Sequence, residues 1–222
     1  MRRFLRENGL SIVLLSLFLV FWFGQSIAGH REHNNEQREH GQPEISYGAY
    51  LRSAHFLEAT AENWESEFFQ MFGYVILTAF LYQKGSSESK KLDEAEPVDR
   101  DPRRARKHRN APWPVRRGGW VLKLYENSLS LALLLFFLLS ITVHALSGAA
   151  AYNEDQAAHG EPERLSFIQY ATTSRFWFES FQNWQSEFLA ILAMVVLSIF
   201  LRQRGSPESK PVDSPHSQTS SE

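Results

Sequence analysis

Two near-identical blocks in this chain combine carboxylate, amide, hydroxyl and indole groups. They are Asn63-Trp64-Glu65-Ser66-Glu67-Phe68 and Asn183-Trp184-Gln185-Ser186-Glu187-Phe188, identical at five of six positions. In each, a glutamate (Glu67, Glu187) directly abuts a long apolar run. A carboxylate beside a membrane span is costly to keep without a partner or a task. Three uses fit these residues. The repeated acids face a shared cavity and bind cations or relay protons. Alternatively, Asn63 and Asn183 cap helices whose first turns favour acids, while Trp64 and Trp184 anchor the interface. Or the polar groups bond to a neighbouring helix and lock a bundle, with Ser66 and Ser186 contributing.

Histidines offer a second chemistry. His30, His33 and His40 stand at i, i+3 and i+10, one face of a helix if that helix continues past residue 28, with Glu36 and Glu39 nearby. Imidazole and carboxylate together suit zinc. Moving 119 residues along, however, replaces His30 and His33 by Ala149 and Tyr152, and only His40 keeps a counterpart, His159. Each of those two precedes a Gly and, three residues on, a proline (Pro43, Pro162), the pattern of a turn with an outward histidine. No metal is therefore assigned. His144, the one ionisable group of an apolar segment, aligns with Gln25 and reads as an interhelical hydrogen-bonding residue.

The elements that must carry these groups are four apolar segments. The first, Leu10 to Ala28, has no charge, and the third, Leu129 to Ala151, carries only His144. About 20 apolar residues span a hydrocarbon core of roughly 30 Å. The second and fourth, Phe68 to Tyr82 and Phe188 to Leu201, are shorter, and each follows an aromatic amphipathic run. The first and third match, as do the second and fourth: Leu5-Arg6-Glu7-Asn8 is echoed by Leu124-Tyr125-Glu126-Asn127, and Gly85-Ser86-Ser87-Glu88-Ser89-Lys90 by Gly205-Ser206-Pro207-Glu208-Ser209-Lys210. The sequence thus predicts an all-α integral membrane protein of four spans, built as two tandem helical hairpins. The first repeat covers 1–90, with spans near 10–28 and 63–83. A charged, Pro-rich linker covers 91–119. The second repeat covers 120–205, with spans near 126–150 and 178–203, and 206–222 form a disordered tail. The first segment resembles a signal peptide ending at Ser26-Ile27-Ala28, but its mid-chain copy points to a retained span.

Lys and Arg set orientation. Of 23, three precede Leu10, three lie in 29–62, twelve in 83–123, two in 150–175 and three follow residue 201. Both termini and the linker are expected in the cytoplasm, and both connectors outside. The net charge is −2 and Cys is absent, so no disulfide framework, thiolate site or cysteine nucleophile exists. The mean hydropathy of −0.33 averages apolar spans with very polar connectors. The basic run from Arg103 to Arg117, beside Trp113 and Trp120, suits anionic lipid headgroups. No aromatic-interleaved nucleic-acid module accompanies it. No phosphate loop, nucleophile elbow or dinucleotide fingerprint is present. No catalytic residue or cofactor is expected.

The repeats, with Glu7–Ser11 (Glu-Asn-Gly-Leu-Ser), Gly24–Ser26, His40–Pro43 and the two Asn-Trp blocks, resemble a family of small bacterial four-helix membrane proteins known only as a domain of unknown function. The resemblance covers nearly the whole chain except linker and tail. It implies a bacterial inner-membrane protein and carries over no activity or functional residue. Ser128 and Val143 stand where the first copy has Gly9 and Gly24, so the copies are not expected to pack identically. The expected role is that of a structural or interaction protein of the envelope, with lipid and a homo-oligomeric or other membrane partner. The alternative is a cation or proton transporter or channel subunit using Glu67 and Glu187.

Overall fold

Long apolar runs fold here as long helices, because in lipid a helix satisfies every backbone group internally. The computed structural model describes residues 2–160 and 164–220; Pro162 of the expected second turn lies outside them. Eight α-helices are present, and no strand occurs among the described residues: α1 (Arg2–Glu39), α2 (Tyr47–Tyr50), α3 (Ala54–Phe80), α4 (Trp113–Arg117), α5 (Gly119–Glu126), α6 (Ser128–Ala158), α7 (Phe167–Tyr170) and α8 (Ser174–Phe200).

Among the described residues, three helices are long and apolar enough to cross a membrane: Arg3–Glu39, Ser128–Ala158 and Ser174–Phe200. Four spans were expected. The second expected span lies in α3, whose first half carries Glu58, Glu62, Glu65 and Glu67 and leaves only a short apolar stretch behind them. The long helices expose their apolar side chains: Leu10 is 76% and Phe21 68% exposed on α1, and Leu135, Leu139, Leu189 and Leu192 are exposed on α6 and α8. Soluble monomers rarely show contiguous apolar surface of this extent. At 1.5 Å per residue α1 is about 57 Å long, so it extends well past a hydrocarbon core.

The chain divides into two compact units, Met1–Ala61 with Val143–Phe176, and Glu62–Thr142 with Trp177–Glu222. In the first, the segments that follow α1 and α6 fold back by the same device. Asn34 donates to the Ile45 carbonyl at 3.0 Å and accepts from its N–H at 2.9 Å. Asn153 does the same with Leu165, at 2.9 and 2.8 Å. One-turn helices follow, α2 capped by Ser46 and α7 by Ser166. Each delivers a fully buried tyrosine, Tyr50 or Tyr170, against a glycine, Gly29 or Gly148. A Cβ at Gly29 would collide with the Tyr50 hydroxyl, and one at Gly148 with the Tyr170 ring. The next helices start at Ser53 and Thr173, whose hydroxyls accept from Phe56 N–H at 3.2 Å and Phe176 N–H at 3.3 Å.

The second unit packs α3 on α8 through aromatic rings. Phe69 lies 4.5 Å from Trp184, 5.0 Å from Phe137 and 5.6 Å from Phe188, centroid to centroid. Past α3 and α8 the same turn forms twice. Gly85 and Gly205 take φ of +88° and +86°, open to glycine at no steric cost. Ser89 Oγ accepts from Gln83 N–H at 2.8 Å, and Ser209 Oγ from Gln203 N–H at 2.9 Å.

Composition predicts disorder for the linker and the tail after Gly205, yet the described residues there make specific contacts. In the linker, prolines open two short 3-10 turns, Pro97–Asp99 and Pro102–Ala105. Arg106 donates to the carbonyls of Arg116 and Arg117 at 3.1 and 3.2 Å, closing the end of α4. In the tail, Lys210 is buried and its ammonium donates to the carbonyls of Gly85, Ile199, His216 and Gln218 at 2.5 to 3.3 Å. Burial and the nearby Arg202 push its pKa down, while four carbonyls favour the charged form. Thr219 Oγ1 accepts from Gly85 N–H at 2.9 Å.

Candidate functional site

The repeated polar blocks lie inside helices, not at their starts. Helix α3 begins at Ala54 and α8 at Ser174, so Asn63 and Asn183 cap nothing; Ser53 and Thr173 do. The capping reading treats the two blocks as helix starts just before the apolar runs at Phe68 and Phe188. The helices start earlier because their aromatic, amphipathic first turns are helical as well.

What the blocks do is join α3 to α8. Asn183 Nδ2 donates to Glu62 Oε1 at 2.5 Å. Trp184 Nε1 donates to Glu65 Oε1 at 3.0 Å, and Glu65 is 0% exposed. Gln70 Nε2 donates to the backbone carbonyl of Glu187 at 2.8 Å. Ser66 and Ser186 turn inward along their own helices, each donating to the carbonyl three residues earlier, Asn63 or Asn183, at 2.8 Å. Glu67 is exposed and Glu187 half-buried, and Trp64 remains partly exposed. The acid at the centre of the contact is Glu65, whose counterpart is Gln185. Recurrence, the signal that singles out Glu67 and Glu187, does not find it. Its signal was there: one position in an otherwise conserved block changes from acid to amide.

A second polar cluster lies in the first unit. His33 and Glu36 on α1 meet His55 at the start of α3, each offering one ligand atom, all within 4.8 Å of one another. The rings of His33 and His55 are 5.2 Å apart. The Tyr50 hydroxyl stands 3.4 Å from Nδ1 of His55, and Gln37 Nε2 stands 3.3 Å from Nε2 of His33. Burial, then His33, push the His55 pKa down, against smaller opposing effects of Glu36 and Glu154. Burial, with the Glu36 charge, pushes the Tyr50 hydroxyl up. His30 does not join them; its Nε2 lies 2.8 Å from the Ile45 carbonyl and 3.0 Å from Asn34 Nδ2. His40 and His159 sit together, rings 5.7 Å apart, each with Nδ1 toward the carbonyl four residues earlier, Glu36 or Asp155. His55 was missing from the expected histidine set because it lies 22 residues beyond His33, and only the chain reversal through Ile45 and Tyr50 brings it back.

His144 is fully buried, its ring 4.7 Å from that of Phe176. Its ring nitrogen and a Glu58 carboxylate oxygen lie within 4.8 Å of each other. Glu58 in turn accepts from the Tyr170 hydroxyl at 3.2 Å. The basic linker keeps Arg103, Arg104, Lys107, Arg109, Arg116 and Arg117 exposed, with Arg117 over the Trp113 ring at 5.7 Å.

No curated protein and no solved structure matches this chain. A family model described as a domain of unknown function, DUF6766, matches residues 1–221, and the chain belongs to that family.

Proposed function

We propose that this protein is a four-span component of the bacterial inner membrane that acts as a structural or partner-binding element, not as an enzyme. Its two hairpins are tandem copies. The Asn34–Ile45 and Asn153–Leu165 clamps, the Gly29–Tyr50 and Gly148–Tyr170 contacts and the paired turns at Gly85 and Gly205 support the duplication. A copy of α8 in α3 makes α3 the remaining span, with its acid-rich first half outside or paired. Both termini and the linker are cytoplasmic by the distribution of Lys and Arg. Exposed linker cations and Trp113 then meet anionic headgroups.

The observation that carries the structural reading is the use of the repeated block. Glu62, Glu65 and Gln70 of α3 are engaged with Asn183, Trp184 and the Glu187 backbone of α8. These are the interhelical bonds by which polar residues hold membrane helices together. Proton and cation flux in proteoliposomes tests it, comparing wild type with the Glu67→Gln, Glu187→Gln double variant. The structural reading expects no flux from either. Flux that the double variant abolishes while folded would replace it with a transporter or channel working through those carboxylates.

A further inference from the structure

We propose that His33, Glu36 and His55 form a binding site for a divalent transition metal of the zinc type, on the connector side of the first unit. The donor set is two imidazoles and one carboxylate, ordinary zinc ligands that leave a fourth position for water. His33 and Glu36 are three residues apart on α1 and share a helix face, while His55 comes from α3. Ligands about 2.1 Å from a tetrahedral metal stand about 3.4 Å apart. In the structure the three ligand atoms lie within 4.8 Å of one another, so binding requires them to draw together.

The surroundings orient the ligands. The Tyr50 hydroxyl, 3.4 Å from His55 Nδ1, can accept its N–H and leave Nε2 for a metal, while Gln37 Nε2, a donor 3.3 Å from His33 Nε2, marks the lone pair there as the one a metal would take in its place. Partners of this kind fix the tautomer and aim of ligating histidines. Tyr50 is itself fixed, buried against Gly29. Glu36 is exposed, so the site opens toward solvent.

The other half of the chain, on the tandem reading, supplies a control. Its clamp, its buried tyrosine and its glycine are the same, but the ligand positions hold Tyr152, Asp155 and Arg175. There the Arg175 guanidinium lies over the Tyr152 ring at 5.8 Å, and Asp155 faces His159 at 3.5 Å. The connector therefore folds in the same way without the histidines. One half carries a permanent cation at the place where the other carries ligands for one. Packing explains Tyr50 and Asn34, which both halves keep; it does not explain His33 and His55, which only one half has.

The test is calorimetric titration of zinc(II), and visible absorption of cobalt(II), on the untagged full chain in metal-free detergent. The variants are Glu36→Gln, His33→Ala with His55→Ala, and His40→Ala. Wild type is expected to bind one equivalent and give tetrahedral cobalt bands. Glu36→Gln, at an exposed position that leaves folding intact, is expected to weaken binding at least 10-fold, and the double variant about 100-fold or more. His40→Ala is expected to leave affinity unchanged. Binding that falls as pH drops through the imidazole range accompanies this result. Equal affinity in wild type and Glu36→Gln, or equal loss in His40→Ala, would overturn the proposal. Neither outcome bears on the flux measurement, so this site and the structural role fail independently.

Discussion

Glu65 and Glu67 are two residues apart on α3 and have opposite circumstances. Glu65 is buried beneath the Trp184 indole, and Glu67 is exposed. Removing the first leaves an indole N–H without its acceptor; removing the second leaves nothing unsatisfied. In detergent melting, Glu65→Ala is expected to cost about 1–2 kcal/mol, within the range of interhelical bonds measured in membranes. Glu65→Gln retains an acceptor and is expected to cost less. Glu67→Ala is expected to stay within about 0.5 kcal/mol. A larger loss at Glu67 than at Glu65 would reverse the roles assigned to this block. At this scale the sequence singles out Asn183 and Trp184, which donate across to α3, but not their acceptors Glu62 and Glu65. Recurrence finds what the two blocks share, whereas a contact between two helices is asymmetric and requires complementary residues, here an acid facing an indole.

Among the elements, the glycines separate position from composition. Gly24 and Gly148 both lie within long apolar helices, though only Gly148 has a counterpart glycine, Gly29, at the 119-residue offset. A Cβ at Gly24 meets no atom within 4 Å, while one at Gly148 meets the buried Tyr170 ring and Glu58 Oε1. Gly24→Ala is expected to be neutral or stabilising by up to about 1 kcal/mol, the helix-propensity difference. Gly148→Ala gains the same propensity but overpacks a closed contact, for a net loss of about 1–2 kcal/mol in the same melts. The helices themselves were legible from apolar length, but not all of their ends were. Hydropathy stops where the bilayer would, while α1 continues to Glu39, because amphipathic and charged residues are also good helix formers; the aromatic amphipathic run from His55 does mark the early start of α3 at Ala54. The connector clamps were hidden for a related reason: Asn34 and Asn153 look like ordinary polar residues until a distant backbone pairs with them.

Over the whole molecule, charge and apolar length decide how the chain is threaded. Composition suggested that the polar ends were loose. Instead, Lys210 brings four carbonyls from the turn at Gly85, the end of α8 and the tail around one ammonium. Lys210→Met leaves those carbonyls without their donor and is expected to cost about 2–4 kcal/mol and to expose the tail to protease. Lys90, its sequence counterpart, bonds instead to the exposed Asp99 at 2.7 Å, so Lys90→Met is expected to do little. The central claim at this scale is that α3 crosses the bilayer despite its four glutamates, which places the connectors and the linker on opposite sides. The chain has no cysteine, so single labels report directly. Gln42→Cys and Ala95→Cys, probed in intact bacteria with a membrane-impermeant maleimide, test it most directly. The account predicts that position 42 labels from outside and position 95 only after permeabilisation. Labelling of both from the same side would mean that α3 does not span, and would contradict the four-span tandem architecture.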